Sequence, residues 1–422
     1  MMDLLRHRGF VLLWCGQFLG FLGDWTLRTM LLIWVYQLTR SGLAVSVVGV
    51  AEALPLLILA PLAGVFVDRW HRAYTMAGAV FARAVLVLPL LTVTTRADFG
   101  VILGVTVLAN AASQFFMPAA SAAVPVVVDQ EQVGQANSLL ALVSGGITVI
   151  APGAAALLFA GVGPHGAVVA VVALYALATL VVLFVPAGRP VGRGQGAPSV
   201  VREMRAGLRY VRRSSLLVAL ISMAFIAMLG VGALSVLDVV FVTRALHLRS
   251  ETVGLLLTSS GAGTLAGGIA MSMLSARLTR SYHWLLGVAT LVAGLGYLAY
   301  ALAPTLPIAA VVLFVVGLSF PPLTIAAMTL VQLVTEDAFM GRVMSLLSTG
   351  MAVATIASMA CGGVLTDLFG VWQAIAGGAV LLMAAGLLSL RLIRTTPTRQ
   401  RRPDADADAA ATPVPEMVAN AR

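Results

Sequence analysis

The sequence predicts an all-α membrane protein with twelve transmembrane helices arranged in two six-helix bundles. Three observations lead there. Of its 422 residues, 60% are hydrophobic and only 10% are charged, and the mean hydropathy is +1.00. Soluble domains run at about 45–50% apolar and about 25% charged residues, so a globular core alone does not account for these values. The apolar residues also fall in blocks long enough to cross a bilayer, which takes about 20 residues of helix. Finally, the two halves of the chain repeat one another at an offset of about 207 residues.

Twelve spans follow from the blocks: 10–38, 44–67, 74–95, 99–124, 134–161 and 165–186, then 214–243, 251–275, 284–303, 307–334, 342–366 and 371–393. Most connections are short and carry turn or charged residues, as at Arg40-Ser41-Gly42 and Arg96-Ala97-Asp98. The stretch 187–213 differs. It passes from a Gly/Pro/Arg-rich linker into Val201, Met204, Leu208 and Val211 at helical spacing, opposite Arg202, Arg205, Arg209 and Arg212. That pattern predicts a basic amphipathic helix lying on an anionic membrane face. The expected organisation is therefore a first bundle over 1–186, a linker with its amphipathic helix over 187–213, a second bundle over 214–394, and a Pro/Ala/Asp-rich disordered tail over 395–422.

Charge sets the expected orientation. All 26 basic residues are arginine. With the N-terminus inside, 20 of them fall in inner segments and 4 in outer loops (Arg40, Arg96, Arg244 and Arg249), while Arg28 and Arg83 lie within spans. The positive-inside rule then places both termini and the central loop in the cytoplasm, as for a multi-pass protein of a bacterial inner membrane. The same distribution explains the net charge of +9 without a nucleic-acid partner. Cys15 and Cys361 sit in apolar segments and read as small buried hydrophobes, not as a disulfide or metal pair.

The repeat is carried by polar positions. Arg69-Trp70-His71-Arg72 aligns with Arg277-Leu278-Thr279-Arg280, and Gly134-x-x-x-Ser138-Leu139-Leu140 with Gly341-x-x-x-Ser345-Leu346-Leu347; Asp129 and Glu336 precede the two glycines equally. Two parallel six-helix repeats place a substrate site near the bilayer midplane between them, with access alternating as one rocks against the other.

At Gly64-Val-Phe-Val-Asp68-Arg69-Trp-His-Arg72 the chain resembles the signature loop between helices 2 and 3 of the major facilitator superfamily. The segment Phe116-Met-Pro118 to Pro125, followed by Gln135-Ala-Asn137, is similar to an efflux branch that holds enterobactin exporters and macrolide efflux pumps. The resemblance spans the chain except its tail and implies the major facilitator fold. It also implies a gating role for Gly64, Asp68, Arg69 and Arg72, with Arg277 and Arg280 as counterparts. There are departures: Ala276 stands where the first half has Asp68, helix 4 offers Asn110 and Gln114 where proton-coupled exporters often have an arginine, and the antiporter motif survives only as Ala151-Pro152-Gly153.

An ionisable side chain near the bilayer centre costs at least about 2.5–3.5 kcal/mol, so each one within a span needs a reason. Asp24 lies halfway along helix 1, with Arg28 one turn later on the same face, where the two can pair. Either Asp24 carries a proton or binds a cation, or the pair is a permanent packing device. Glu52 is a second proton site or reaches outward to water. Arg83 reads as structural, reaching Asp68, helix-end carbonyls or the cytoplasmic interface, and Asp238 and Asp367 read as solvated acids near outer helix ends. Trp25, Asn110, Gln114 and Phe115 are the expected cavity lining, an apolar wall with a few polar groups suited to amphiphiles.

The expectation is a secondary transporter, with proton-coupled efflux of a drug-like amphipathic small molecule leading. Export of a siderophore or other metabolite, and flipping of a lysolipid, are the alternatives. A sensor or membrane enzyme is the competing class; against an enzyme, all five histidines fall in loops or at span edges, no metal cluster is legible and there is no P-loop. Expected partners are substrate, protons and lipid; no cofactor is called for, and a monomer suffices.

Overall fold

The computed structural model describes residues 4–67, 69–186, 200–278 and 282–392. The linker 187–199, the tail from 393, Asp68 and Arg280 lie outside the described residues. Among the described residues, eleven helical stretches are apolar and long enough to cross a bilayer. One of them, Gln130–Leu183, runs for 54 residues, roughly 80 Å of helix against a hydrocarbon core of about 30 Å. It breaks at Gly163, whose φ is 71°, just before Pro164. Glycine takes positive φ without a Cβ clash, and a residue preceding proline is pushed out of the α region. The stretch is two crossings, so the described residues make twelve, all helical.

In chain order the helices are α1 (Arg8–Thr39), α2 (Gly42–Val67), α3 (Arg72–Val87), α4 (Phe99–Ser113), α5 (Phe116–Val127), α6 (Val133–Leu183), α7 (Val200–Arg212), α8 (Ser215–Val231), α9 (Leu234–Arg244), α10 (Val253–Leu278), α11 (Tyr282–Ala301), α12 (Leu306–Val334), α13 (Asp337–Phe369) and α14 (Val371–Leu392). The fourth crossing is α4 plus α5, broken at Gln114–Phe115. Pro118, three residues into α5, lacks an N–H and would clash with the carbonyl four residues back. The seventh crossing is α8 plus α9, broken at Gly232–Ala233. There Ser358 of α13 fills the gap: its Oγ accepts from the Ala233 N–H (2.8 Å) and donates to the Leu229 carbonyl (2.7 Å). A broken helix survives at membrane depth when a neighbour satisfies the freed backbone groups in this way.

Among the first six crossings α1 and α3 pack on α6; among the last six, α10 packs on α12, and α11 on α12 and α14. The α10–α12 contact is close. A Cβ at Gly263 would stand 2.0 Å from the Phe314 carbonyl oxygen, and one at Gly267 2.4 Å from that of Leu318. Overpacking of this kind costs about 1–3 kcal/mol. Gly263→Val should therefore lower the melting temperature of the purified protein by several degrees, measured by thermal unfolding; unchanged melting would show that these helices part easily.

The first six and last six crossings meet mainly through α2 on α13 and α6 on α10. Glycines locate that contact. A Cβ at Gly261 would lie 2.6 Å from the Thr148 carbonyl, at Gly254 2.4 Å from Ala156 Cβ, and at Gly363 2.5 Å from Ser46 Cβ. By contrast, a Cβ at Gly134, Gly146, Gly341 or Gly350 would meet nothing within 4 Å. The two groups of helices thus close on each other from mid-depth to the face away from the chain termini, here the far face. At the opposite end, the terminal face, these glycines show no such contact between the two groups.

Side chains seal the far face. Asp367 accepts from Ser41 Oγ (2.7 Å), Gly42 N–H (3.1 Å) and Leu43 N–H (3.0 Å), and pairs with Arg244 at 3.0 Å. Arg244 also donates to the Arg40 carbonyl at 2.7 Å, and Gln37 Nε2 donates to Ser250 Oγ (2.9 Å) and Glu251 Oε1 (3.0 Å). Asp367 is therefore no idle solvated acid. It ties the α1–α2 turn to α9 and α13, which its sequence neighbours alone do not reveal.

The amphipathic segment forms α7 (Val200–Arg212), and the C-terminal end of that helix has a protein partner. Val211 is buried, the Tyr210 ring stacks on Phe339 with centroids 4.3 Å apart, and the Glu336 N–H donates to Tyr210 Oη at 3.1 Å. The sequence shows an apolar stripe without showing that its C-terminal end is held at the start of α13, while Leu208 of the same stripe stays exposed.

Candidate functional site

Midway along α1 the helix presents small residues toward α3 and α6. A Cβ at Gly23 would lie 2.7 Å from the Tyr175 ring, and one at Gly20 only 3.8 Å from Arg83 Nη2. The missing side chains admit two large polar groups from neighbouring helices beside Asp24. Arg83 Nη1 and Tyr175 Oη both donate to Asp24 Oδ1, the tyrosine at 2.7 Å. Arg83 is 2% exposed and stacks over the rings of Tyr175 (4.8 Å) and Phe116 (5.8 Å). The Asp24 side chain is 36% exposed and lines a cavity. One carboxylate oxygen is clasped from behind while the group as a whole faces open space.

The expected Asp24–Arg28 pair is corrected by this geometry. Arg28 pairs across to Glu52 of α2, Nε to Oε2 at 3.4 Å, with its guanidinium 5.3 Å from the Trp25 ring centroid. The reason is burial. A guanidinium as enclosed as Arg83 cannot stay unpaired without a cost of several kcal/mol, and Asp24 supplies its carboxylate. Arg28, at 29% exposure, is left free to reach Glu52. Arg83 is thus a member of the site, not a peripheral structural residue.

The cavity has a volume of about 570 Å³ and lies between the two groups of helices. Asp24, Trp25, Arg28, Glu52 and Asn110 line one side, with Arg83 and Tyr175 behind them; Met228, Gly232, Ser235, Thr355 and Met359 line the other. All its charges therefore come from the first six crossings. The opposite wall is thioether, hydroxyl, the Val231 side chain and backbone, supplied by the two sides of the α8–α9 break and by Thr355 and Met359 of α13.

Two residues expected in the cavity lie elsewhere. Gln114 turns back, Nε2 donating to the Asn110 carbonyl (3.1 Å) and Ser113 Oγ (3.2 Å). Phe115 stacks on Trp70 with centroids 6.1 Å apart, in a separate terminal-face depression shared with Arg69 and Tyr74. The break at Gln114–Phe115 ends the regular helical facing that would have placed them beside Asn110. Of the gating positions, Gly64 lies in α2, Arg69 follows it in an exposed turn, Arg72 opens α3, and Arg277 lies in α10.

Sequence reasoning missed Tyr175 as a partner of Asp24, and read Asp238 as solvated. Asp238 is 8% exposed and accepts from Tyr300 Oη at 2.9 Å. The available signal was an unpaired polar side chain inside each of two spans, Tyr175 and Tyr300, which a buried acid can recruit.

Twelve crossings among the described residues, a charged cavity between two groups of six and a sealed far face define a membrane transporter of the major facilitator type. A family model described as "Transmembrane secretion effector" matches residues 2–421, and the chain belongs to that family. It is 24% identical to an uncharacterised transporter of major facilitator type, YfiS, of Bacillus subtilis, over 91% of this chain and 93% of the relative. It is 24% identical to macrolide efflux protein A of Streptococcus pyogenes (89% and 94% covered), and 27% identical to the multidrug efflux pump Tap of Mycobacterium tuberculosis (84% and 87% covered). The fold matches the nucleoside transporter NupG with a TM-score of 0.77 at 13% identity, covering 91% of this chain and 100% of that one. It also matches a bacterial homologue of the iron transporter ferroportin, solved in an inward-facing state, with a TM-score of 0.72 at 18% identity, covering 92% and 98%.

Proposed function

We propose that the protein exports an amphipathic small molecule in exchange for protons, by alternating access across the bacterial inner membrane. The observation that carries this reading is Asp24. It is a cavity-facing carboxylate at mid-membrane with one oxygen held by Arg83 and Tyr175, which leaves Oδ2 for a proton or for a cationic group of the substrate. Proton and substrate compete for that oxygen, and competition for one group is the simplest coupling of two opposed fluxes. Glu52, paired with Arg28 across the same cavity, is the second acid of the relay. Relatives named as macrolide and multidrug efflux proteins favour export and a drug-like cargo.

With both termini in the cytoplasm, as the arginine distribution favours, the terminal face, where those glycines meet nothing, is the inner one and this structure is inward-facing. The 1–186 and 214–394 bundles then rock about the α2–α13 and α6–α10 contacts. The Gly64–Arg72 loop, Asp68 included, and its counterpart at Arg277 and Arg280 hold the terminal face shut in the opposite state. One chain carries the whole cavity, so a monomer is the working unit.

The test is transport in inverted membrane vesicles energised acid-inside. They should accumulate ethidium and release it when a protonophore is added. Accumulation indifferent to the protonophore would contradict proton coupling.

A further inference from the structure

A second cavity, of about 90 Å³, lies among α8, α11, α12, α13 and α14. Its lining is almost wholly apolar. The two threonines in it are turned away: Thr290 Oγ1 donates to the Leu286 carbonyl at 2.6 Å and Thr324 Oγ1 to the Phe320 carbonyl at 3.0 Å, each on its own helix. Both hydroxyl protons are spent within their own helices, so the lining offers water few partners. Four methionines line it, Met223, Met228, Met328 and Met351. Methionine is unbranched and repacks readily, which suits a wall that must admit apolar groups of differing shape.

Met228 also lines the central cavity. One flexible side chain therefore borders both the charged chamber and the apolar one. From this shared wall we infer that the apolar cavity is a substrate subsite: it receives the hydrophobic arm of a cation whose charged head is held at Asp24. The inference rests on the reading of the central cavity given above and narrows its substrate to a two-part molecule, a cationic head joined to a short apolar arm. Its occupant is substrate, not a lipid acyl chain, because the cavity adjoins the charged chamber through Met228. The volume is below the roughly 150 Å³ that takes up benzene, so it holds a few methylenes unless the methionines give way.

A series of alkyltriphenylphosphonium cations, from methyl to octyl, tests this on the full-length protein in lipid nanodiscs. Each methylene buried should tighten binding about threefold to fourfold until the cavity is full, after which the gain stops. In Ala224→Leu and Ala327→Leu, whose added methyls fill the cavity, affinity should cease to rise with chain length. The slope is the readout, and a general folding defect, which weakens every member alike, does not flatten it. An equal slope in wild type and both variants would overturn the subsite while leaving the central-cavity reading intact. A flat wild-type series would do the same and would point to a resident lipid. Failure of the wild type to bind any member would sink the cationic-head reading, and the subsite with it.

Discussion

Asp24→Asn should abolish gradient-driven transport, lowering its rate at least about 100-fold in proteoliposomes. The amide can still accept from Tyr175 and Arg83, so the cavity keeps its shape; what goes is the exchangeable proton. The substitution also leaves the Arg83 charge without a counter-charge, and at 2% exposure it has no water to turn to. Breaking a buried ion pair by removing one partner costs about 3–5 kcal/mol, so the variant should melt earlier as well. That second effect confuses the first unless it is removed. Replacing both members, Asp24→Asn with Arg83→Gln, should restore much of the melting temperature, because no buried charge is left uncompensated, but should restore no driven transport. Recovery of transport in the double variant would make Asp24 a packing residue and move the proton elsewhere, with Glu52 and Asp238 the next acids to examine.

The second large effect is mechanical. Gly261 of α10 faces the backbone of α6 directly: a Cβ there would lie 2.6 Å from the Thr148 carbonyl oxygen and 3.0 Å from Val149 Cα. Backbone cannot swing aside as a side chain can. Gly261→Val should wedge the two groups of helices apart at mid-depth and exclude the state closed on the far face. Spin labels placed on the far-face ends of α2 and α13 should then report a longer distance, and transport should fall more than about tenfold. Unaltered distances would mean that α6 and α10 yield without rocking. Asp367→Asn should act in the same direction but more weakly. Its pair with Arg244 is about one-third exposed on each side, and such pairs contribute about 0–1 kcal/mol, a shift of no more than about fivefold in population.

The crossings were legible because each is an uninterrupted apolar block, and the turn within α6 because Gly163-Pro164 leaves the chain few alternatives. The cavity's charged residues were legible for a related reason: an acid or arginine inside a span stands out against an apolar background. Their partners were not. Sequence shows that Asp24 and Arg28 share a helix face, but not that α1's missing side chains let Arg83 and Tyr175 approach from other helices. The uncharged wall was invisible for the opposite reason, since Met228 and Ser235, on either side of the break at Gly232–Ala233, and Thr355 and Met359 of α13 look like any span residues until the helices are packed. Gln114 and Phe115 were misplaced by one local event, the break ahead of Pro118, which no helical projection carries across. The same holds for α7: its stripe was plain, its partner at Phe339 was not.

The most direct test of coupling is to follow protons rather than substrate. In proteoliposomes with an imposed pH gradient and a pH-sensitive dye trapped inside, adding a transported cation should speed collapse of the gradient, saturably with its concentration. The wild type should show this and Asp24→Asn should not. Equal collapse in the two, or none with a cation that the wild type demonstrably moves, would contradict proton exchange at Asp24.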